Sequence, residues 1–185
     1  MARLLLLNGP PGIGKSTLAR RWGADHPGTL VSDVDVLRTL VGGWEDDFAA
    51  AGGLIRPAAL ALIGAYLDGG HDVVLPQLLT RLPELERFER AATDVGADVV
   101  HVVLMDDEAS AVARFHRRGA DDRDPWHEQV RRIVAAQGGD EVLVRHHRAL
   151  RALLVERPGS HEVRSVPGDV DGTYGALRAA VGGAP

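Results

Sequence analysis

NGPPGIGKST, residues 8–17, is the stretch on which the reading of this chain turns. It follows the apolar run RLLLLN (3–8) and leads into STLARRWGAD (16–25), where Leu18, Ala19 and Trp22 recur at helical spacing. A buried strand, a glycine-rich turn and a helix are therefore expected in that order. Gly9-Pro10-Pro11-Gly12-Ile13-Gly14-Lys15-Ser16 fits GxxxxGK[ST] without departure. Gly9, Gly12 and Gly14 permit backbone conformations closed to residues with a Cβ, so that loop N–H groups converge on one point. Those amides, with the positive end of the following helix, form a cradle for phosphate oxygens. Lys15 would place a compact charge beside the β- and γ-phosphates, and Ser16, followed by Thr17, would offer a hydroxyl to Mg²⁺. Lys15 is the only lysine among 21 Lys and Arg residues. A chain that uses arginine everywhere else has kept its lysine where a planar guanidinium fits poorly. The bland alternative is a glycine-rich turn that opens a helix, with Ser16 as the cap.

The rest of the composition narrows the setting. With 185 residues and 45% hydrophobic content, one domain spanning 1–185 is expected. A formal charge of −5 argues against a nucleic-acid partner bound through its backbone. There are no cysteines, so disulfides and thiolate metal sites are excluded. Apolar runs such as AALALIGAYL (58–67) fall short of the roughly 20 residues of a membrane span. LLLL near the N-terminus is too short for a signal peptide. No membrane partner and a cytoplasmic setting are the default expectations; oligomeric state is open.

Beyond the loop, strands and helices alternate. TLVS (29–32), HDVVLPQ (71–77), DVVHVVLM (98–105) and HEVRSV (161–166) read as strands, with Pro76 confined to the end of its strand because it cannot donate to a ladder. Helices are expected over about 35–40, 54–68, 82–96, 108–118, 126–137, 140–155 and 172–181. GGWEDDFAAAGG (42–53) reads as a mobile glycine-rich connection. This alternation is that of an α/β fold, a five-stranded parallel sheet with helices on both faces.

Asp33 and Asp35, in VSDVD (31–35), follow the second strand, at the edge where open parallel sheets bind ligands. On an extended stretch, carboxylates two residues apart point the same way. One is expected to face the Mg²⁺ shell and the other an acceptor hydroxyl, whose proton it would accept during phosphoryl transfer. For either alone, the alternative is the N-cap of the next helix. The eight histidines carry no metal-binding pattern, and adjacent His146 and His147 are expected at the surface. Trp44, Phe48 and Trp126 are weighed evenly between core and pocket wall.

GPPGIGKS and, less specifically, SDVDVLR resemble the small P-loop kinases: shikimate kinase, gluconate kinase and the chloramphenicol phosphotransferase group. The resemblance covers most of the chain and implies sheet order 2-3-1-4-5, ATP and Mg²⁺ as cofactors, and transfer of the γ-phosphate of ATP to a hydroxyl of a small molecule, an antibiotic or a metabolite. It maps the general base onto Asp35, with Arg38 beside it at the acceptor, and the metal-facing acid onto Asp33. Many P-loop proteins carry an aspartate after the third strand; here Gln77 stands there. With Thr80 and Arg81, Gln77 is expected at the substrate mouth, an ordinary strand-to-helix loop being the alternative. The resemblance also implies an arginine-bearing lid over the nucleotide, at about 114–125. Arg114 and Arg118, at i and i+4, and Arg123 are its candidates, with Arg118 and Arg123 stabilising the transferring phosphoryl group. Two other functions stay open: a nucleoside or nucleotide kinase, and a nucleotide switch or ATPase with no small-molecule acceptor, for which Gln77 speaks. A switch has no need of a base at Asp35.

Overall fold

The computed structural model describes residues 1–117 and 125–183. Five strands, β1 (Arg3–Asn8), β2 (Leu30–Val31), β3 (Val73–Pro76), β4 (Asp98–Met105) and β5 (His161–Arg164), form one parallel sheet in the order β2-β3-β1-β4-β5. The expected order and fold class are those observed. Leu4 to Leu7 of β1 are at most 2% exposed, and their alternation splits the core in two. Leu4 and Leu6 pack with Val73 and Leu75 against helices α3 (Phe48–Asp68) and α4 (Leu82–Thr93), through Ile63, Leu67, Leu85 and Phe88. Leu5 and Leu7 face the other way, toward α1 (Lys15–Asp25) and α8 (Val170–Gly182), where Leu18, Trp22, Leu177 and Val181 close the second layer. Each such leucine contributes on the order of 1.5–3 kcal/mol of transfer free energy. A strand buried on both faces must be apolar at every position, which is why β1 reads as an unbroken leucine run.

Helix α2 (Val34–Arg38) follows β2, and α5 (Glu108–Arg117) follows β4. Helices α6 (Pro125–Ala136) and α7 (Asp140–Glu156) meet at a small cluster of Phe115, Val134, Val142 and Leu143, and α7 goes on to pack Leu150 against Val103 and Met105 of β4. The expected lid arginines Arg118 and Arg123 lie outside the described residues.

Two expectations fail. Residues 48–53 are not a loose connection: α3 begins at Phe48, its first turn capped by Asp47, whose carboxylate accepts from the Ala50 N–H at 2.9 Å. Gly52, Gly53 and Pro57 suppress the helical signal, but the cap and burial of Ala51 and Gly52 outweigh local propensity. At 21 residues, α3 is then long and apolar enough, by length and composition alone, to cross a membrane. Its Ala59, Ile63 and Leu67 are spent on the core beside β3 and α4. His147, expected at the surface, is buried, with Nε2 2.9 Å from the Asp106 carbonyl oxygen.

Candidate active site

The loop between β1 and α1 has the backbone its sequence requires. Gly9, Gly12 and Gly14 sit at φ 148°, 81° and 107°. A Cβ on Gly9 would lie 2.6 Å from the Leu104 carbonyl oxygen, and one on Gly12 3.1 Å from the Phe115 Cα. These two glycines let the loop lie directly on the ends of β4 and α5. Gly14 is the N-cap of α1; no side chain caps that end and no acid occupies its first turn. Ser16 is thus not the cap. The α1 terminus offers its N–H groups to an anion, with the helix dipole in support. Lys15 folds back over the loop, its Nζ donating to the carbonyl oxygens of Gly9 and Pro10 at 2.8 and 3.0 Å.

Remote residues fix the loop from beneath. Arg114 Nη2 and the Ser165 hydroxyl both donate to the Ile13 carbonyl oxygen, at 2.8 and 2.9 Å. Because a trans peptide points its N–H opposite its C=O, this holds the Gly14 N–H on the cradle side. Arg114 also donates to the Ser165 carbonyl at 2.9 Å and lies 3.6 Å from the Asp106 carboxylate. Expected on the lid, it instead props the loop from below and does not border the cavity described next. On the other side, Asn8 Oδ1 accepts from the N–H groups of Gly9 and Leu79, and its amide donates to the Leu79 carbonyl. Asn8 Nδ2 lies 3.3 Å from His101 Nε2, whose Nδ1 meets the Ser160 hydroxyl at 2.7 Å. Burial, aided by Arg157 and His161, lowers the His101 pKa to about 4. Neutral His101 therefore accepts from Asn8, and the buried chain of amide, imidazole and hydroxyl is satisfied.

Asp33 and Asp35 do not lie on one extended stretch. Asp33 is the N-cap of α2, its Oδ1 accepting from the Asp35 N–H at 3.1 Å, and its Oδ2 receives the Ser16 hydroxyl at 2.9 Å. Asp35 sits inside the first turn of α2 and pairs with Arg38 one turn on, at 3.9 Å. The shared direction expected of a strand is produced instead by a helical turn: both carboxylates border one cavity. Arg38 is 5% exposed, its guanidinium lying over the Phe48 ring at 3.8 Å. Burial lowers its pKa against the opposing pull of Asp35. Gly52 makes the room, since a Cβ there would come within 2.9 Å of Arg38 Nη2.

That cavity, about 790 Å³, gathers most of the sequence candidates. Pro11, Gly12, Gly14, Lys15, Ser16 and Thr17 border it, as do Asp33, Asp35, Arg38 and Gln77. Gly9, Pro10 and Ile13 are buried behind the loop. Arg81 is elsewhere: it pairs with Glu84 and borders a separate cavity of about 210 Å³ with Arg56 and Arg87. Sequence reasoning missed His127 and His146, which also face the main cavity. Burial first, then Arg145 and Lys15, lowers the His146 pKa. Phe48 and Trp126 are wall rather than core, their rings 5.5 Å apart, with Trp44 5.8 Å from Trp126.

For a divalent cation, the paired oxygens of Ser16 and Asp33 beside the loop are hard donors of the kind Mg²⁺ takes. No cluster of three His, Cys, Asp or Glu occurs among the described residues.

A parallel sheet of order 2-3-1-4-5 with this loop after its central strand defines a protein of the P-loop kinase fold. Solved structures agree on the fold. A tunicamycin resistance protein from Deinococcus radiodurans superposes with TM-score 0.59 at 19% identity, covering 98% of this chain and 96% of that one. A gluconokinase from Sinorhizobium meliloti 1021 gives 0.61 at 18%, covering 97% and 92%. A chain of the Pnkp1/Rnl/Hen1 RNA repair complex gives 0.67 at 20%, over 84% of this chain but 46% of its own length. No curated protein sequence matches. The family described as an AAA domain matches residues 4–138, and the chain belongs to it.

Proposed function

We propose that the protein is an ATP-dependent phosphotransferase that moves the γ-phosphate of ATP to a hydroxyl of a small molecule. The observation that carries this reading is the convergence of Lys15, Ser16, Asp33 and Asp35 on one cavity. The loop amides and Lys15 bind the triphosphate, Lys15 leaving the Gly9 and Pro10 carbonyls for phosphate oxygens. Ser16 and Asp33 would hold Mg²⁺, which when bound screens phosphate charge. Asp35 orients the acceptor hydroxyl and takes its proton as the acceptor oxygen bonds to the γ-phosphorus. The bond from that phosphorus to the β–γ bridging oxygen breaks, and ADP leaves with the electron pair.

The neutral Gln77 at the end of β3 favours the second reading, a switch or ATPase. Asp33 answers it, because its carboxylate already reaches Ser16 from the neighbouring strand end. Transfer of radiolabelled γ-phosphate from ATP across a panel of alcohols, metabolites, antibiotics and nucleosides tests the proposal. Labelled organic product supports it; release of inorganic phosphate alone, whatever alcohol is present, refutes it.

A further inference from the structure

The cavity is lined by polar and apolar side chains together. Asp35, Gln77 and His146 line it together with Lys15, and His146 lies within the electrostatic reach of that lysine. Gln77 is 9% exposed, and its Oε1 is buried with no hydrogen-bond partner among the described residues; His146 Nδ1 is in the same state. Buried polar atoms left unpaired destabilise a fold and commonly mark where a ligand or water completes the bonding. Helix α6 lines the cavity with Trp126, Val130, Ile133 and Val134, spaced four, seven and eight residues from the first, and with His127. Phe48, in ring contact with Trp126, and Val36 also line it, the latter 56% exposed although large and apolar. The chain has three Trp, two Tyr and three Phe, and it places three of these eight, Trp44, Phe48 and Trp126, in one ring cluster at this wall. The Gln129 amide ties α6 to the segment bearing Trp44 by donating to the Glu45 carbonyl at 2.9 Å.

We infer that the acceptor is an amphiphilic alcohol with an aromatic or similarly flat apolar body, and not a polyol or sugar acid. Its reacting hydroxyl lies at Asp35, a neighbouring donor reaches Gln77 Oε1, and its body packs against the wall that Val36, Phe48 and the α6 stripe form. A polyol would bring hydroxyls to Val36, Val130 and Ile133, which cannot pair them. A flat ring buries apolar area there and meets Phe48 and Trp126 in the geometry that aromatic groups prefer. The inference takes the identity of the bound hydroxyl from the phosphotransfer reading, but the shape and chemistry of the walls stand apart from it.

Binding and transfer are therefore measured separately. The binding probes are 3-phenylpropane-1,2-diol against glycerol and gluconate, each titrated with ATP and Mg²⁺ replaced by a non-hydrolysable analogue complex, and read by calorimetry and tryptophan emission. The diol is expected to bind at least tenfold more tightly than glycerol or gluconate. Trp126→Ala and Val36→Ser are each expected to weaken it at least fivefold; Val36 is exposed, so its replacement leaves the core intact. Equal or tighter binding of glycerol or gluconate, or no binding of the diol, overturns the inference. Diol that binds while no alcohol, the diol included, receives phosphate from ATP upholds the inference and refutes the kinase reading. Gluconate phosphorylated while the diol fails to bind does the reverse.

Discussion

The Ser16 hydroxyl and the Asp33 carboxylate meet at 2.9 Å, joining the first turn of α1 to the N-cap of α2. One carboxylate thus serves two structures, its other oxygen capping α2 through the Asp35 N–H. Asparagine caps about as well as aspartate but brings no negative charge. Asp33→Asn is expected to melt near the wild-type temperature while needing several-fold more Mg²⁺ for half-maximal transfer. A magnesium titration that superposes on wild type would remove Asp33 from the metal site.

Lys15 donates two hydrogen bonds from a single Nζ to carbonyls of its own loop. A guanidinium is planar and bulkier, and cannot place one compact charge at that point. Lys15→Ala is expected to abolish transfer, and Lys15→Arg to lose at least a hundredfold despite the retained charge. Turnover near wild type in the arginine variant would contradict this geometry.

Arg114 and Ser165 hold the Ile13 carbonyl from positions 101 and 152 residues along the chain. Arg114→Met leaves that carbonyl with Ser165 alone and leaves the Asp106 carboxylate, 3% exposed, without its cation. A loss on the order of 2–3 kcal/mol in urea unfolding is expected, the usual size for buried charge-assisted bonds. ATP affinity should fall about tenfold because the Gly14 N–H is no longer held inward. Stability lost with ATP affinity intact would make Arg114 a purely structural residue.

How much of this was legible follows from where each signal resides. The phosphate loop and β1 are local: a motif and a leucine run determine them, and the sequence reading placed both. The aspartate pair was found by spacing, yet its geometry was misread, because a two-residue β2 hands over to a helix already at Val34. Arg114 looked like a lid residue since nothing nearby in sequence announces a bond to Ile13. The Asn8–His101–Ser160 chain was invisible for the same reason, spanning separations of 93 and 59 residues. Helix α3 was shortened because glycines carry a low helical propensity that only tertiary burial reverses.

His101 gives the fold a dependence on pH. Its folded pKa, about 4, lies below its ordinary value of 6.5. Between those values the unfolded chain binds the proton and the folded chain does not, so stability rises with pH. The contribution is complete above pH 6.5 and is lost as pH falls toward 4. A displacement of this size corresponds to about 3 kcal/mol. Urea unfolding from pH 7 to pH 4 is expected to show that decline, and His101→Gln to flatten it. A wild-type profile flat across this window would show that His101 titrates normally.

Asp35 is where catalysis and architecture separate most cleanly. Because Asp33 caps α2, Asp35 is free of that duty, and it pairs with Arg38 at 3.9 Å. Asp35→Asn removes one negative charge from the first turn of α2, a loss of about 0.3–1 kcal/mol. Nucleotide binding should be unchanged, since the loop amides and Lys15 make that site. Phosphate transfer should fall by roughly 10²–10⁴, the range of a general-base contribution. The loss should appear in kcat, with a smaller rise in KM for an acceptor that binds through its reacting hydroxyl. If Asp35 only neutralises Arg38, the variant instead leaves kcat in place and shifts stability alone. Wild-type kcat in Asp35→Asn would therefore refute the general-base role and return the protein to the switch or ATPase reading.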